Sequence, residues 1–124
     1  MKTDKKLGYG VRDYLIKRGV ETPIVEVNLG REEKIDLIRA NMRTIIEVLG
    51  LDTKDDSISG TAERVATMYI DELCSGMDYN RFPACTVFDN KMGYNQMVLQ
   101  KDITFHSLCE HHFVNFHGLA QVAY

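Results

Sequence analysis

Two stretches in the first half of the chain repeat apolar residues at the three- and four-residue steps of an α-helix. Residues 9–18 form a short amphipathic pattern that ends at Gly19, a residue type that often terminates helices. A longer pattern precedes Gly50, and its first turn carries two glutamates, which the positive end of the helix dipole favours. Its apolar positions are Ile35, Ile38, Met42, Ile45, Ile46 and Leu49. The pattern therefore predicts two helices before residue 50.

A third helix is predicted after the acidic loop 52–56. Ser59-Gly60-Thr61 offers hydroxyl groups at a helix start, and Thr61 is the expected N-cap. Gly76 is the expected end of this helix. The apolar residues of its buried face are Val65, Met68, Tyr69 and Leu73.

Beyond Pro83 the apolar period changes from helical spacing to the alternation of a β-strand. One alternation starts near Thr86, resumes at Met97 and reaches Phe105 with an interruption at Lys101, and a second runs from Val114 to Tyr124. Helices precede strands, so the predicted class is α+β with an antiparallel sheet. We expect one domain over residues 1–124, mainly helical in 1–80 and mainly strands in 81–124. The second alternation of apolar and polar residues continues up to residue 124, which predicts a domain incomplete at its C-terminus.

Composition narrows the functional classes. The 124 residues are 44% hydrophobic and 27% charged, which predicts one compact domain with its own core. A net charge of −3 disfavours nucleic acid and anionic membranes as partners. No apolar run has the length of a signal peptide core or a membrane span, so we expect a cytoplasmic protein. An odd count of three cysteines fits a reducing compartment.

The candidate chemistry is concentrated between residues 106 and 117, which contain all four histidines and one cysteine. Zinc prefers thiolate and imidazole, and a Cys-x-x-His step such as Cys109 to His112 can bring both donors to one side of a turn. His111 would then be an unligated imidazole suited to proton transfer. On spacing alone, a buried thiol with imidazoles at the rim remains an equal alternative.

Catalytic zinc usually takes three protein ligands, so a third donor is needed. The candidates within the chain are Cys74, Cys85, His106 and His117. We expect the two cysteines to be small core residues and the two histidines to face solvent rather than a metal.

The segment Cys109-Glu110-His111-His112-Phe113-Val114, followed by Gly118 and Val122-Ala123-Tyr124, closely resembles the zinc-site signature of the GTP cyclohydrolase I family. Shorter matching segments occur in the family's order from about Val11 onward. They are Glu21-Thr22-Pro23, Leu49-Gly50-Leu51-Asp52, Arg64-Val65-Ala66, Met68-Tyr69, Asp71-Glu72-Leu73, Ser75-Gly76, Asn90-Lys91-Met92 and Asp102-Ile103-Thr104. The resemblance therefore extends over nearly the whole chain.

This resemblance implies a tunnelling fold (T-fold), in which helices pack on an antiparallel sheet that assembles into a barrel of several subunits, as homodecamers in the family. It implies zinc-dependent opening of the guanine ring of GTP, release of formate and formation of 7,8-dihydroneopterin triphosphate, the first step of a tetrahydrofolate or pterin route. Cys109 and His112 match the zinc ligands, and His111 matches the proton-transferring histidine. Arg64 matches a residue that contacts the substrate triphosphate, expected to come from a neighbouring subunit.

Three departures from the family pattern bear on activity. Thr61-Ala62 replaces a common Thr-Pro, and Thr67 stands where some relatives have a phosphate-facing lysine. The family's later segment, which supplies the third zinc ligand, a second catalytic histidine and the guanine-binding carboxylate, has no counterpart here. We therefore expect this chain alone to be inactive on GTP. Two alternatives stay open: a non-catalytic half that needs a partner segment, and a small structural zinc module.

Overall fold

The computed structural model describes residues 2–124 and contains three α-helices followed by one β-hairpin. Helix α1 spans Lys5–Arg18, α2 spans Arg31–Val48 and α3 spans Thr61–Met68. Strands β1 (Leu99–Leu108) and β2 (Asn115–Ala123) pair antiparallel. This order confirms the predicted α+β class.

Local capping explains where the first helix begins and ends. The Asp4 carboxylate accepts the Leu7 N–H at 2.9 Å, so α1 starts four residues before the apolar pattern does. At the other end Gly19 has φ 66°, and its N–H donates to the Ile16 carbonyl. The predicted glycine stop is confirmed.

The start of α3 differs from the prediction. Gly60 is the N-cap, Thr61 is the first helical residue, and the Thr61 hydroxyl accepts a hydrogen bond from Arg64. Thr61 is therefore not the cap. Because the N-cap residue Gly60 has no side chain, no side chain caps the N–H groups of this helix start.

The third helix also ends earlier than Gly76. After Met68 the backbone widens into a π-helical turn, Tyr69–Leu73, closed by a hydrogen bond from the Cys74 N–H to the Tyr69 carbonyl at 2.9 Å. The apolar spacing continues through this turn, so periodicity alone does not show the change. Bidentate hydrogen bonds from Arg31 to Asp71 attach the π turn to the start of α2.

The strands follow the predicted alternation. The interruption at Lys101 is a β-bulge between Gln100 and Ile103, with Asp102 at φ 58°. Residues 86–88 are not a strand, and the preceding segment contributes only an isolated bridge between Thr3 and Pro83.

The expectation of a compact domain with its own core is wrong for the isolated chain. Only three hydrophobic residues are buried among the described residues, Ile35 and Ile46 of α2 and Ala66 of α3. The accessible surface is 10622 Å², against about 6,800 Å² expected for a compact monomer of this mass. The helices do enclose a small core, but the hairpin extends away from it and leaves both faces largely exposed.

Within residues 2–124, none of the helices combines the length and the apolar character needed to cross a membrane.

Candidate metal and substrate site

The six-residue loop between β1 and β2 carries the predicted metal ligands. The Cys109 N–H donates to the Val114 carbonyl, and the Phe113 N–H donates to the Cys109 carbonyl, both at 2.9 Å. These bonds close a single helix-like turn, in which residues three apart lie on one side. This turn is compatible with the pairing of Cys109 with His112, which stays a prediction.

The loop has one strained residue and one tertiary contact that holds it. Phe113 has φ 55°, a left-handed conformation that is unfavourable for a bulky side chain. Tyr69 donates its hydroxyl to the Phe113 carbonyl at 2.9 Å, and the two rings stack with centroids 6.2 Å apart. The π turn therefore positions the metal-ligand loop, across 44 residues of sequence.

From the sequence, Tyr69 is assigned only to an apolar helix face, and its contact with the loop is not predicted. The one available signal was its hydroxyl group, because a tyrosine on a packed face usually places that group against a polar partner. The sequence does not show that the partner is the loop's own backbone.

The loop borders a groove of about 930 Å³. Its other wall is formed by residues 72–79, and Pro23 lies at its margin. Cys109, Glu110 and His111 line it from the loop side. Cys109 is half-buried, whereas His111 and His112 are exposed, with ring centroids 6.3 Å apart. The groove is large enough for a nucleotide-sized ligand.

The four candidates for the third metal ligand lie in different parts of the structure. Cys74 is half-buried on the opposite wall of the groove, and burial raises the pKa of its thiol, which disfavours the thiolate form that binds metal. Cys85 is exposed, so its predicted core position is wrong. His106 and His117 are exposed, as predicted.

The donor chemistry fits zinc, but the number of donors in one place is small. A half-buried thiol and an imidazole three residues apart match the ligands zinc prefers. Among the described residues, no group of three histidine, cysteine or acidic side chains is arranged to hold a metal ion. Cys109 and His112 are therefore a two-ligand candidate site.

Arg64 lies apart from the loop and the groove. Its guanidinium donates to the Thr61 hydroxyl at 2.9 Å and more weakly to the Ser57 carbonyl at 3.4 Å. It folds over Gly60, where an added Cβ would come within 2.6 Å of the guanidinium. The side chain is exposed at the positive end of α3. Within one chain the structure does not bring Arg64 together with Cys109, His111 and His112.

Comparison with known proteins identifies related sequences. A family model described as GTP cyclohydrolase I matches residues 38–124. The GTP cyclohydrolase 1 of Shewanella amazonensis is 50% identical over 114 residues, which cover 92% of this chain and 53% of the relative. That of Aliivibrio fischeri strain MJ11 is 51% identical over 114 residues, covering 92% of this chain and 52% of the relative. The chain spans about half the length of the curated relatives it matches.

Proposed function

The chain belongs to the GTP cyclohydrolase I family, and from this premise we propose that it forms part of a zinc-dependent hydrolase acting on GTP. The net reaction adds one water to GTP and yields formate and 7,8-dihydroneopterin triphosphate. The observation that carries this proposal is the turn Cys109–Val114, which joins a thiol, two imidazoles and a groove wall in one loop anchored by Tyr69.

In the proposed site Cys109 and His112 hold the zinc. When bound, the zinc supplies Lewis acidity for attack by water on the purine. The remaining protein ligand would come from sequence in the half of the relatives that this chain does not span. Tyr69 keeps the loop in the conformation that places both donors on one side.

His111 is proposed to move the proton. It lines the groove while His112 does not, so the two adjacent imidazoles face different surroundings. A neutral imidazole at the groove wall can take a proton from attacking water and return it to a departing nitrogen. Because the groove is bounded on its far side by residues 72–79, the purine would lie between the loop and the π turn.

Arg64 is proposed to bind the triphosphate from a neighbouring copy of the chain. Its separation from the groove within one chain supports this arrangement. A guanidinium at a helix N-terminus combines two sources of positive potential for a phosphate. The proposed assembly is a homo-oligomer, and the large exposed apolar surface supports such association.

A second candidate function is a non-catalytic half that acquires a stable core only with a partner segment. The observation that favours it is the small core, with only three buried hydrophobic residues described. In both cases we expect the chain alone to release no formate from GTP.

The test measures zinc content and formate release for the chain and two variants, alone and mixed with the half of the Shewanella amazonensis relative that the chain does not span. We expect Cys109→Ser to lose zinc, because a serine hydroxyl stays protonated where a thiolate is required. We expect His111→Ala to retain zinc and lose formate release. Full activity in both variants would refute the assigned roles.

The controls separate the candidates. Stoichiometric zinc together with formate release in the mixture supports the enzyme. Substoichiometric zinc without formate release, in a mixture that still forms a stable complex, supports the non-catalytic half. A zinc ion held by four protein ligands would favour a structural module.

A further inference from the structure

Two histidines outside the proposed zinc site lie directly opposite each other on the hairpin. His106 of β1 pairs in register with His117 of β2. Both side chains are exposed, and their ring centroids are 6.0 Å apart with the ring planes tilted by 40°. The juxtaposition depends on the register of the two strands, because the residues are eleven positions apart in the sequence.

The position of this pair in the ladder brings the side chains close together. The Cys109 N–H donates to Val114 across the hairpin, so residue 109 occupies a hydrogen-bonded position. Hydrogen-bonded and non-hydrogen-bonded pairs alternate along two antiparallel strands. His106 lies three residues before Cys109 and therefore occupies a non-hydrogen-bonded position. Cβ atoms across such a pair are the nearest of any in a sheet, roughly 4.5–5.5 Å apart.

The ring separation matches that of two imidazoles sharing one metal ion. Metal–nitrogen bonds of about 2.0–2.1 Å place two such ring centres roughly 4.5 Å apart when the angle at the metal is a right angle and roughly 5–6 Å apart at wider angles. The observed 6.0 Å lies at the upper end of this range. Rotation of the two exposed side chains to other rotamers changes the ring separation, and the right-angled positions that Cu²⁺ and Ni²⁺ prefer require a shorter one.

We propose that His106 and His117 form a second metal site, a cross-strand two-imidazole chelate for a divalent transition-metal ion. It uses neither Cys109 nor His112 and goes beyond the proposed activity. Two protein donors leave the other coordination positions to water, and this arrangement suits Cu²⁺ and Ni²⁺, which accept imidazole with several waters.

The surroundings of the pair favour an added cation. Its neighbours on the same face of the hairpin, Thr104 and Leu108 on β1 and Asn115 and Leu119 on β2, are uncharged. His106 also lines the groove to which Glu72 and Glu110 contribute, and carboxylates on that side of the pair attract a cation. A bound ion would join β1 to β2 and stabilise the hairpin through binding linkage.

The test is an isothermal titration of the full 124-residue chain with Ni²⁺ at slightly alkaline pH, because neutral imidazole is the metal-binding form. The parent for this test is Cys109→Ser, which removes the thiolate of the proposed zinc site, because that site would also bind Ni²⁺. His106→Gln and His117→Gln are made in this parent, with Leu119→Gln as the same-face control. We expect each histidine variant to weaken Ni²⁺ binding about tenfold or more. We expect Leu119→Gln to bind Ni²⁺ like the Cys109→Ser parent, with far-UV circular dichroism unchanged throughout.

Electron paramagnetic resonance of the Cu²⁺ complex gives an independent readout. The Cys109→Ser parent should show coupling to two imidazole nitrogens, and His117→Gln in that parent should lose one of them. The proposal is overturned if Ni²⁺ fails to bind the Cys109→Ser parent or if the histidine variants bind it equally well. These results differ from failure of the proposed enzyme function, which is read from zinc content and formate release.

Discussion

The α2–α3 pair and the β1–β2 hairpin are both held by backbone hydrogen bonds but differ in what they bury. The helices enclose all three of the buried hydrophobic residues of the described chain, whereas the hairpin buries none. The hairpin nevertheless carries the proposed metal ligands and both histidines of the second site. Backbone hydrogen bonds therefore set the geometry of the hairpin, while the apolar burial that stabilises the chain is found in the helices. The comparison shows that the candidate sites lie on the part of the chain with the least burial of its own.

The largest difference between the two regions is expected when one side chain in each is shortened to alanine. Ile46 is 5% exposed and Leu119 is 67% exposed. We expect Ile46→Ala to lower the free energy of unfolding by about 2–5 kcal/mol through lost burial and a residual cavity. Leu119→Ala should change it by less than about 0.5 kcal/mol. Urea unfolding followed by circular dichroism measures both.

Ile45→Ala is the matched control, since Ile45 is the neighbour of Ile46 but 50% exposed. If Leu119→Ala were as destabilising as Ile46→Ala, the hairpin would be covered in solution. The difference in burial between the helices and the hairpin would then be a property of the isolated chain only.

The next largest difference in unfolding free energy is expected between two glycines that have other atoms close to their Cα. A Cβ at Gly8 would lie 2.2 Å from the backbone oxygen of Tyr79, whereas at Gly118 it would lie 2.7 Å from the end of the Phe105 ring. Backbone cannot shift as easily as a side chain. We therefore expect Gly8→Ala to cost about 1–3 kcal/mol of unfolding free energy, and Gly118→Ala less than Gly8→Ala.

The control for these contacts is Gly10→Ala, because nothing lies within 4 Å of an added Cβ there. In the interior of α1 it should stabilise by about 0.5–1 kcal/mol. Thermal unfolding of the three variants gives the order directly, and a larger loss at Gly118 than at Gly8 would show that the Phe105 ring yields less easily than the Tyr79 backbone.

A smaller effect is expected at the link between the two regions. Tyr69→Phe removes the hydrogen bond to the Phe113 carbonyl while keeping the stacked ring. We expect a loss of about 1 kcal/mol, with faster amide hydrogen exchange confined to residues 109–114. Tyr94→Phe, at an exposed tyrosine, is the control. Unchanged exchange in the loop would show that the hydrogen bond does not hold it.

The smallest effect concerns an ion pair within the helical region. Hydrogen bonds from Arg31 hold the pKa of Asp71 below its ordinary value. Because the folded pKa is the lower one, the stabilisation is present above the unfolded-state pKa of about 3.9. It is lost as the pH falls from there through the depressed folded value.

We therefore expect Asp71→Asn to destabilise slightly at neutral pH and to match the unaltered chain in strong acid. Urea unfolding across this pH range measures the difference, and 1 M salt should reduce it because the pair is partly exposed. A difference that grew toward acid would contradict the assigned direction.

Much of the fold and part of the site follow from local sequence. The helical spacing in the first half and the two apolar alternations in the second predict all five regular elements, although α3 ends earlier than expected, and the interruption at Lys101 marks the bulge. The Cys109-x-x-His112 motif predicts the ligand turn. These features depend on residues only a few positions apart, whose relation is set by the period of the backbone.

What local sequence did not predict involves distant residues. The π turn interrupts a continuous apolar pattern, and its residue Tyr69 contacts the loop at Phe113. The expected core was wrong because apolar patterning shows which face of an element prefers burial, but not whether anything covers that face.

By itself, the sequence determined the family, the types and order of the main elements and the pair of candidate zinc ligands. Only the tertiary structure decided that Tyr69 holds the ligand loop, that His106 faces His117 and that Arg64 lies away from the groove of its own chain. The physical reason is that spacing along a chain encodes direction within one element. Contact between elements depends on strand register and packing, which arise only when the chain folds.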